Sequence, residues 1–439
     1  MRNTCIIVVA ALLASVACAV TNTTMPSYYA VGSTAFELGY SIGLQQKEAF
    51  QELLKADDSL RTVLEPWMLR HPEDYQAFHK KNREAYPEVY DEIRGIAAGA
   101  GLSENDTMLM MLRPEIESLV ADELGVEMPN ENCFDIIYNP PADDKKATAF
   151  IAHNEDWTPA YKPFGFVLHE NMAYRTEGTQ HIVAFTYPAC PVGFTFGYND
   201  HGVVTSCNGL NPHPCRVGGR ARYFINRHVL SATSTDDALQ RLRDAAPESA
   251  LGFGMSVGSA YSRTIYHAEM VPGSVDIIEI KPGQSYLHSN SYTHEAYKNI
   301  NQTTSPSTSH RLARAAEMPA PTTPQLALNI LGDEKTPVYP IYRYGIPPDE
   351  LATISTAVLD LDNALVTIYG GNPTQHEPVV LMPIFGTRPE PSNSASFITV
   401  SVFAVVFAAA TLVLAIVLAV TKKQRTQGLT VNSGYHPVA

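Results

Sequence analysis

The apolar positions of this chain change rhythm from one region to the next. At the start, Arg2 precedes an apolar run from Cys5 through Val16, and small residues follow in Ala17-Cys18-Ala19-Val20. A charged start, a short apolar run and an A-x-A-like end predict a secretory signal peptide over residues 1–19. Near the other end, Phe397 to Val420 form 24 residues without a charge. At about 1.5 Å per residue, such a helix crosses a hydrocarbon core of roughly 30 Å. Lys422, Lys423 and Arg425 follow at once, and basic residues mark the cytosolic side. The pattern therefore predicts a type I topology: a luminal region, a polar stalk over 387–396, one transmembrane helix over 397–420 and a cytosolic tail over 421–439. A removed lipid-anchor signal would end in its hydrophobic stretch, whereas here a polar tail continues.

Between these ends the rhythm is first helical, then mixed. Ala30 to about Gly125 reads as a helical leader. Its clearest stretch is Pro87 to Gly101, with apolar residues at helical spacing and a terminal glycine. From Cys133 onward, short apolar or alternating runs are divided by turn clusters such as Asn139-Pro140-Pro141-Ala142-Asp143-Asp144. They predict strands at 133–138, 147–152, 164–169, 181–185, 193–198 and 202–207. Helical spacing returns over 222–245, with Ser234 as a candidate cap. Strands are expected again at 260–267, 274–280 and 286–289. A proline-broken helix over 312–331 and a hairpin over 353–369 complete the region. No internal repeat is evident. Strand blocks alternating with helical blocks imply an α+β core behind a helical leader.

Charge and cysteine content narrow the function classes. The net charge of −14 argues against a nucleic-acid partner. Of the six cysteines, Cys5 and Cys18 fall in the signal segment, leaving Cys133, Cys190, Cys207 and Cys215. Four across such a length make no disulfide scaffold, and spacing alone leaves open whether Cys207 and Cys215 pair. Sequons begin at Asn22, Asn105 and Asn301, consistent with a glycoprotein in the lumen. In the tail, Gly434-Tyr435-His436-Pro437-Val438 resembles an adaptor-binding sorting signal, with Tyr435 and Val438 as its two contacts. That likeness points to endosomes, lysosomes or the plasma membrane.

The stretch richest in candidate chemistry runs from Cys133-Phe134-Asp135 to His153-Asn154-Glu155-Asp156-Trp157. A cysteine opens a strand just after the leader. If the chain is cut before it, the new α-amine has a reference pKa nearer neutrality than lysine and can act as a base. The thiolate is the nucleophile. Taken on spacing alone, a buried inert Cys133 with capping Asn154 and Asp156 explains the same residues.

Several stretches occur in an order that resembles the acyl-coenzyme A:isopenicillin N acyltransferase family, the C45 peptidase-like branch of the N-terminal-nucleophile hydrolases. They are Pro87 to Gly101, the Cys133 strand, His153 to Trp157, Gly197 to Val203 running into Asn208, Arg222 to Leu230, His288-Ser289-Asn290 and Thr353 to Gly370. The resemblance spans roughly residues 30–375. It implies an αββα sandwich and autocatalytic cleavage at Asn132-Cys133, giving an α-chain over 20–132 and a β-chain over 133–386. It makes Cys133 nucleophile and base, Asp156 the residue that orients the amine, and Asn208 an oxyanion donor, with Asn154 in support. Two departures stand out. Asn132 replaces the family's usual glycine. The arginine of penicillin-cleaving members falls on Glu350 when counted ungapped from Asp360, with Arg343 the nearest basic residue.

The resemblance further implies an amide hydrolase or acyltransferase acting on a small acyl amide or lipid amide through an acyl-cysteine. No metal or cofactor is expected, apart from acyl-CoA as donor if the enzyme is a transferase. The alternative is a luminal receptor or scaffold that keeps the fold without catalysis.

Overall fold

The computed structural model describes residues 25–126, 133–188 and 190–384. The expected signal peptide, Asn22, Asn132, the stalk, the transmembrane helix and the tail with Tyr435 and Val438 lie outside the described residues. Among those described, no helix is long and apolar enough to cross a membrane.

The leader opens with a difference from expectation. Ser27–Gly32 is a strand, β1, where the apolar pattern read as helix. It pairs in parallel with β4 (Phe166–Met172), Ser27 opposite Val167. Six residues are too few for helical and strand periodicity to separate. The leader then becomes helical: α1 (Ala35–Gln45), α2 (Lys47–Ala56), α3 (Glu65–Arg70), α4 (Pro72–Ala85), α5 (Pro87–Ala100), α6 (Glu104–Met111) and α7 (Arg113–Leu124). Gly39 and Gly43 of α1 face Gly95 and Gly99 of α5. A Cβ at Gly39 would lie 1.9 Å from the Glu92 carbonyl oxygen, and one at Gly95 2.1 Å from that of Phe36. Only glycine lets two helix backbones touch in this way.

The remaining strands build two sheets. β4, β5 (His181–Thr186), β6 (Phe196–Asn199), β7 (Val203–Leu210), β8 (Gly252–Ser259), β9 (Ser262–Val271) and β10 (Ser274–Glu279) follow β1 in an eight-stranded sheet. β11 (Gln284–His288), β2 (Phe134–Asn139), β3 (Phe150–Trp157), β12 (Ala352–Asp360), β13 (Leu365–Tyr369) and β14 (Val380–Pro383) form a six-stranded one, in that order. The span 222–245 divides into α8 (Arg222–Leu230) and α9 (Thr235–Ala245), with Ser234 Oγ accepting from the Asp237 amide as the cap signal predicts. The later helices are α10 (Pro306–Ala316) and α11 (Pro324–Leu331).

Alternation along the strands sorts side chains into layers. Phe134, Ile136, Tyr138, Phe150, Ala152 and Val358 pack on α10 and α11 through Ala315, Ala327, Leu328 and Leu331. Their neighbours Ile137, Ile151, Ala357 and Leu359 instead join Val204, Val257 and Ile265 of the other sheet in the main core. α8 and α9 contribute Phe224, Ile225, Leu239 and Leu242 to that core and pack on β7 and β8. The order is helix, sheet, sheet, helix, so the α+β expectation holds. β8, with Gly252, Gly254 and Gly258, was not anticipated from the sequence. The leader is fastened by a buried cluster: Arg227 of α8 donates to Glu92 of α5 at 2.8 Å and to Glu170 of β4 at 2.9 Å.

Candidate active site

Residue 133 immediately precedes β2, at an end of the six-stranded sheet. Its thiol is buried and lies 3.5 Å from Glu155 Oε2. Glu155 and His153 occupy the β3 face that looks into the sheet–sheet interlayer. His153 Nε2 is 3.2 Å from the same Glu155 oxygen, and its Nδ1 is 2.6 Å from Asp135 Oδ1. Asp135 Oδ2 in turn accepts from Ser206 Oγ and Ser256 Oγ of the facing sheet at 2.7 and 2.8 Å. Tyr187 donates to Glu155 Oε1. Burial works against the charged imidazole of His153, but the Asp135 and Glu155 carboxylates prevail and raise it to about 9. The result is a chain of four side chains, Cys133–Glu155–His153–Asp135, with almost no access to water.

The other face of β3 carries Asn154 and Asp156. Asn154 is fully used: its Nδ2 donates to the Leu331 carbonyl at 2.9 Å and its Oδ1 accepts from Thr356 at 2.7 Å. It ties α11 to the sheet. Asp156 is half used. Its Oδ1 accepts from Thr353 at 2.6 Å, while its Oδ2 is buried without a hydrogen-bond partner. Arg311 Nη1 and Arg343 Nη1 approach that oxygen at 3.5 and 3.7 Å, close enough for attraction and too far for a good hydrogen bond. Burial raises the Asp156 carboxyl to about 6, with the two arginines pulling the other way.

Arg311, which the sequence reading passed over, links these parts. Its Nη1 donates to the Cys133 carbonyl at 3.0 Å and its Nη2 to Asn290 Oδ1 at 3.0 Å. Ser289 Oγ also donates to the Cys133 carbonyl. Asn290 Nδ2 reaches the carbonyl of Gly209, the residue after Asn208. Burial, with Arg343 nearby, lowers Arg311 to about 10. A signal existed: Ser307, Thr308, Arg311 and Ala315 are the buried positions of α10, one polar stripe at helical spacing.

Asn208 stands on β7, on the interlayer face with Ser206. Both its side-chain nitrogen and its oxygen are buried without partners. Across β7 and β8 it faces Gly254, which adds no side chain. Of the two positions considered for the arginine, Arg343 is the one at the site, buried and held by Asp349. Glu350 is exposed.

The remaining sequence candidates are located as follows. Cys215 is a buried thiol, so the pairing with Cys207 that spacing left open is not made; Cys207 Sγ accepts from Asn226 Nδ2. Asn105 and Asn301 are exposed. Although no metal was expected, Cys133, His153 and Glu155 bring ligand-type atoms within 4.8 Å of one another, as do His267, Glu269 and His294.

Two packed sheets with helices on both outer faces, a buried thiol just before β2, and buried Asp156 and Asn208 atoms without hydrogen bonds define the class, an α+β sandwich with a candidate nucleophile. Residues 143–375, more than half of the chain, match the family model for acyl-coenzyme A:6-aminopenicillanic acid acyl-transferase, and the chain belongs to that family. The matched stretch begins after Cys133 and takes in Asp156, Asn208, Arg311 and Arg343. The chain is 23% identical over 379 residues to a beta-alanyl-dopamine/carcinine hydrolase of Drosophila melanogaster, covering 82% of this chain and 96% of that protein. Among solved structures it is similar to a penicillin V acylase of Agrobacterium tumefaciens (14% identity, 54% of this chain and 83% of that one, TM-score 0.33). It is also similar to a conjugated bile acid hydrolase of Clostridium perfringens (9% identity, 61% and 100%, TM-score 0.36). The family and the hydrolase relative identify an amide hydrolase or acyltransferase.

Proposed function

We propose that this protein hydrolyses or transfers the acyl group of a small acyl amide through an acyl-Cys133 intermediate, after cutting its own chain between Asn132 and Cys133. One observation carries the reading. Asp156 Oδ2 and the Asn208 amide, two residues singled out from the sequence, are buried without a hydrogen bond, the former beside only the long Arg311 and Arg343 ion pairs. Leaving a buried polar group unmatched costs about 1–3 kcal/mol, a cost tolerated where another group completes the site.

Before cleavage the Cys133 nitrogen is an amide and cannot act as base. Glu155 Oε2 is the acceptor beside the thiol and takes its proton. The sulfur attacks the Asn132 carbonyl, the C–N bond breaks, and the leaving nitrogen takes up the proton from Glu155. Water then hydrolyses the resulting thioester, releasing the Asn132 carboxylate and the free thiol. From that point the Cys133 α-amine serves as base. Asp156 Oδ2 accepts one of its N–H groups, and Asn208 Nδ2 donates to the oxyanion of the tetrahedral intermediate. Arg311 and Ser289 hold the Cys133 carbonyl throughout.

N-β-alanyl amines are the first substrates to try, given the insect relative's activity, followed by other N-acyl amines and lipid amides. The signal segment, the charge-free stretch at 397–420 and the basic residues after it support a membrane-tethered luminal enzyme. The tail motif at Tyr435 and Val438 supports adaptor-mediated delivery to endosomes or lysosomes.

Terminal sequencing of the purified full chain, alongside turnover of N-β-alanyl amines, tests the reading. Wild type yields a new N-terminus at Cys133. Cys133→Ala stays intact and loses on the order of 10⁴-fold or more in turnover. An uncut wild-type chain that turns over, or a Cys133→Ala chain that does, overturns it.

A further inference from the structure

The histidine cluster outside this site calls for its own explanation. His267 and Glu269 stand two residues apart on β9, His288 ends β11, and His294 lies six residues further on. All four side chains are buried in the interlayer. His267 Nδ1 and His294 Nε2 face each other at 3.0 Å. Two nitrogens bound to one tetrahedral zinc at about 2.0–2.1 Å are separated by roughly 3.3 Å, so this spacing nearly suits a shared ion.

Other contacts orient the set. His294 Nδ1 lies 2.9 Å from Asp276 Oδ2, which turns Nε2 toward His267. A carboxylate behind a histidine in this way is a common support for a metal ligand. Glu269 Oε1 accepts from the Thr293 amide and hydroxyl, while Oε2 accepts only from the His294 amide. That leaves Oε2 with capacity. His288 Nε2 sits 3.3 Å from Glu269 Oε1 without the alignment of a hydrogen bond.

His267 Nε2, on the side of the ring away from His294, and both ring nitrogens of His288 are buried without a hydrogen bond. Room for these rings comes from Gly254, where a Cβ would lie 2.6 Å from His288 Cε1 and 3.3 Å from His267 Nε2.

We propose that His267, Glu269 and His294, whose ligand-type atoms lie within 4.8 Å of one another, form a zinc site between the sheets. Two imidazole nitrogens and one carboxylate oxygen without a thiolate suit zinc, with a fourth position left for a non-protein ligand. The ion would clamp β9 to the 289–294 turn beside Gly254, and so beside Asn208. Asp276, whose side chain is about a third exposed, marks the way in.

The test uses the full chain purified without a histidine tag, stripped with chelator and dialysed against zinc chloride. Elemental analysis and thermal melting are read together. Wild type is expected to take up about one zinc per chain and to melt higher with it. Cys133→Ser keeps that zinc, which separates the site from the Cys133–His153–Glu155 group. His294→Gln loses it. Should His294→Gln fail to fold, Asp276→Asn, altered behind the ligand, weakens zinc binding by about 10–100-fold. Wild type without zinc and with an unchanged melt overturns the proposal. So does zinc lost in Cys133→Ser, or zinc binding unaltered in both His294→Gln and Asp276→Asn.

Discussion

The two faces of β3 differ in kind although their residues alternate in a single motif. On the interlayer face, His153 and Glu155 are joined to Cys133 and Asp135 in a continuous chain of contacts. On the helix face, Asn154 is fully bonded and Asp156 keeps one oxygen unmatched. A run of residues that reads as one block is split by the strand's two-residue period between two environments. In the proposed mechanism, proton handling by the thiol falls to one face and reception of a new amine to the other.

The sharpest way to break this division is to change one residue on each face. Glu155→Gln is expected to slow self-cleavage by on the order of 10²-fold or more, far more than it slows turnover by chain supplied already cut. Asp156→Asn is expected to reduce turnover of the cut form by a similar factor. Fragment appearance on gels and steady-state kinetics read the two effects, and equal profiles for both variants would erase the distinction. Asn208→Ala, on the facing sheet, is expected to lower kcat by about 10²–10³-fold with little change in KM; a change confined to KM would assign it to binding instead.

Stability against pH sharpens the contrast in the uncut Cys133→Ala chain. Asp156 binds its proton more tightly folded, at about 6, than unfolded, near 3.9. Its contribution is therefore full below about pH 4 and declines as pH rises to about 6. His153, raised to about 9, stabilises fully below its unfolded value of about 6.5 and loses that contribution as pH rises through about 9. Every tenfold gain in proton affinity on folding is worth about 1.4 kcal/mol. Denaturant midpoints against pH should decline in both windows; Asp156→Asn should flatten only the lower and His153→Gln only the upper. The smallest effect is expected from Asn154→Ala, about 1–3 kcal/mol of stability with unchanged turnover per folded molecule. A large loss of turnover would make Asn154 more than a fastening.

Cys133, Asp156 and Asn208 each sit in a short ordered motif of the sequence, and the structure finds all three buried, Asp156 and Asn208 within strands and Cys133 just before β2. Arg311 was hidden because an arginine on an amphipathic helix usually faces water; only its company with Ser307 and Thr308 marks a buried stripe. Glu155 and His153 lay inside a motif already assigned to its neighbours. β8 went unseen because Gly252, Gly254 and Gly258 dilute the apolar rhythm that identifies strands, although its glycines admit the histidine rings. β1 was too short to be told from the helix after it. Between the two positions named for the arginine, only burial in the fold separates Arg343 from the exposed Glu350.

The seat of β1 beside β4, and the burial of Arg227 against Glu92, bear on what happens after a break anywhere in residues 127–132. The shorter polypeptide would then own an edge strand of the longer one's sheet, and the Glu92–Arg227 pair would become a bond between two molecules. No loop would tether them, yet separating them would require unzipping a strand and exposing a buried arginine. The product would be an obligate heterodimer born from a single translation, its stoichiometry guaranteed without any encounter between partners.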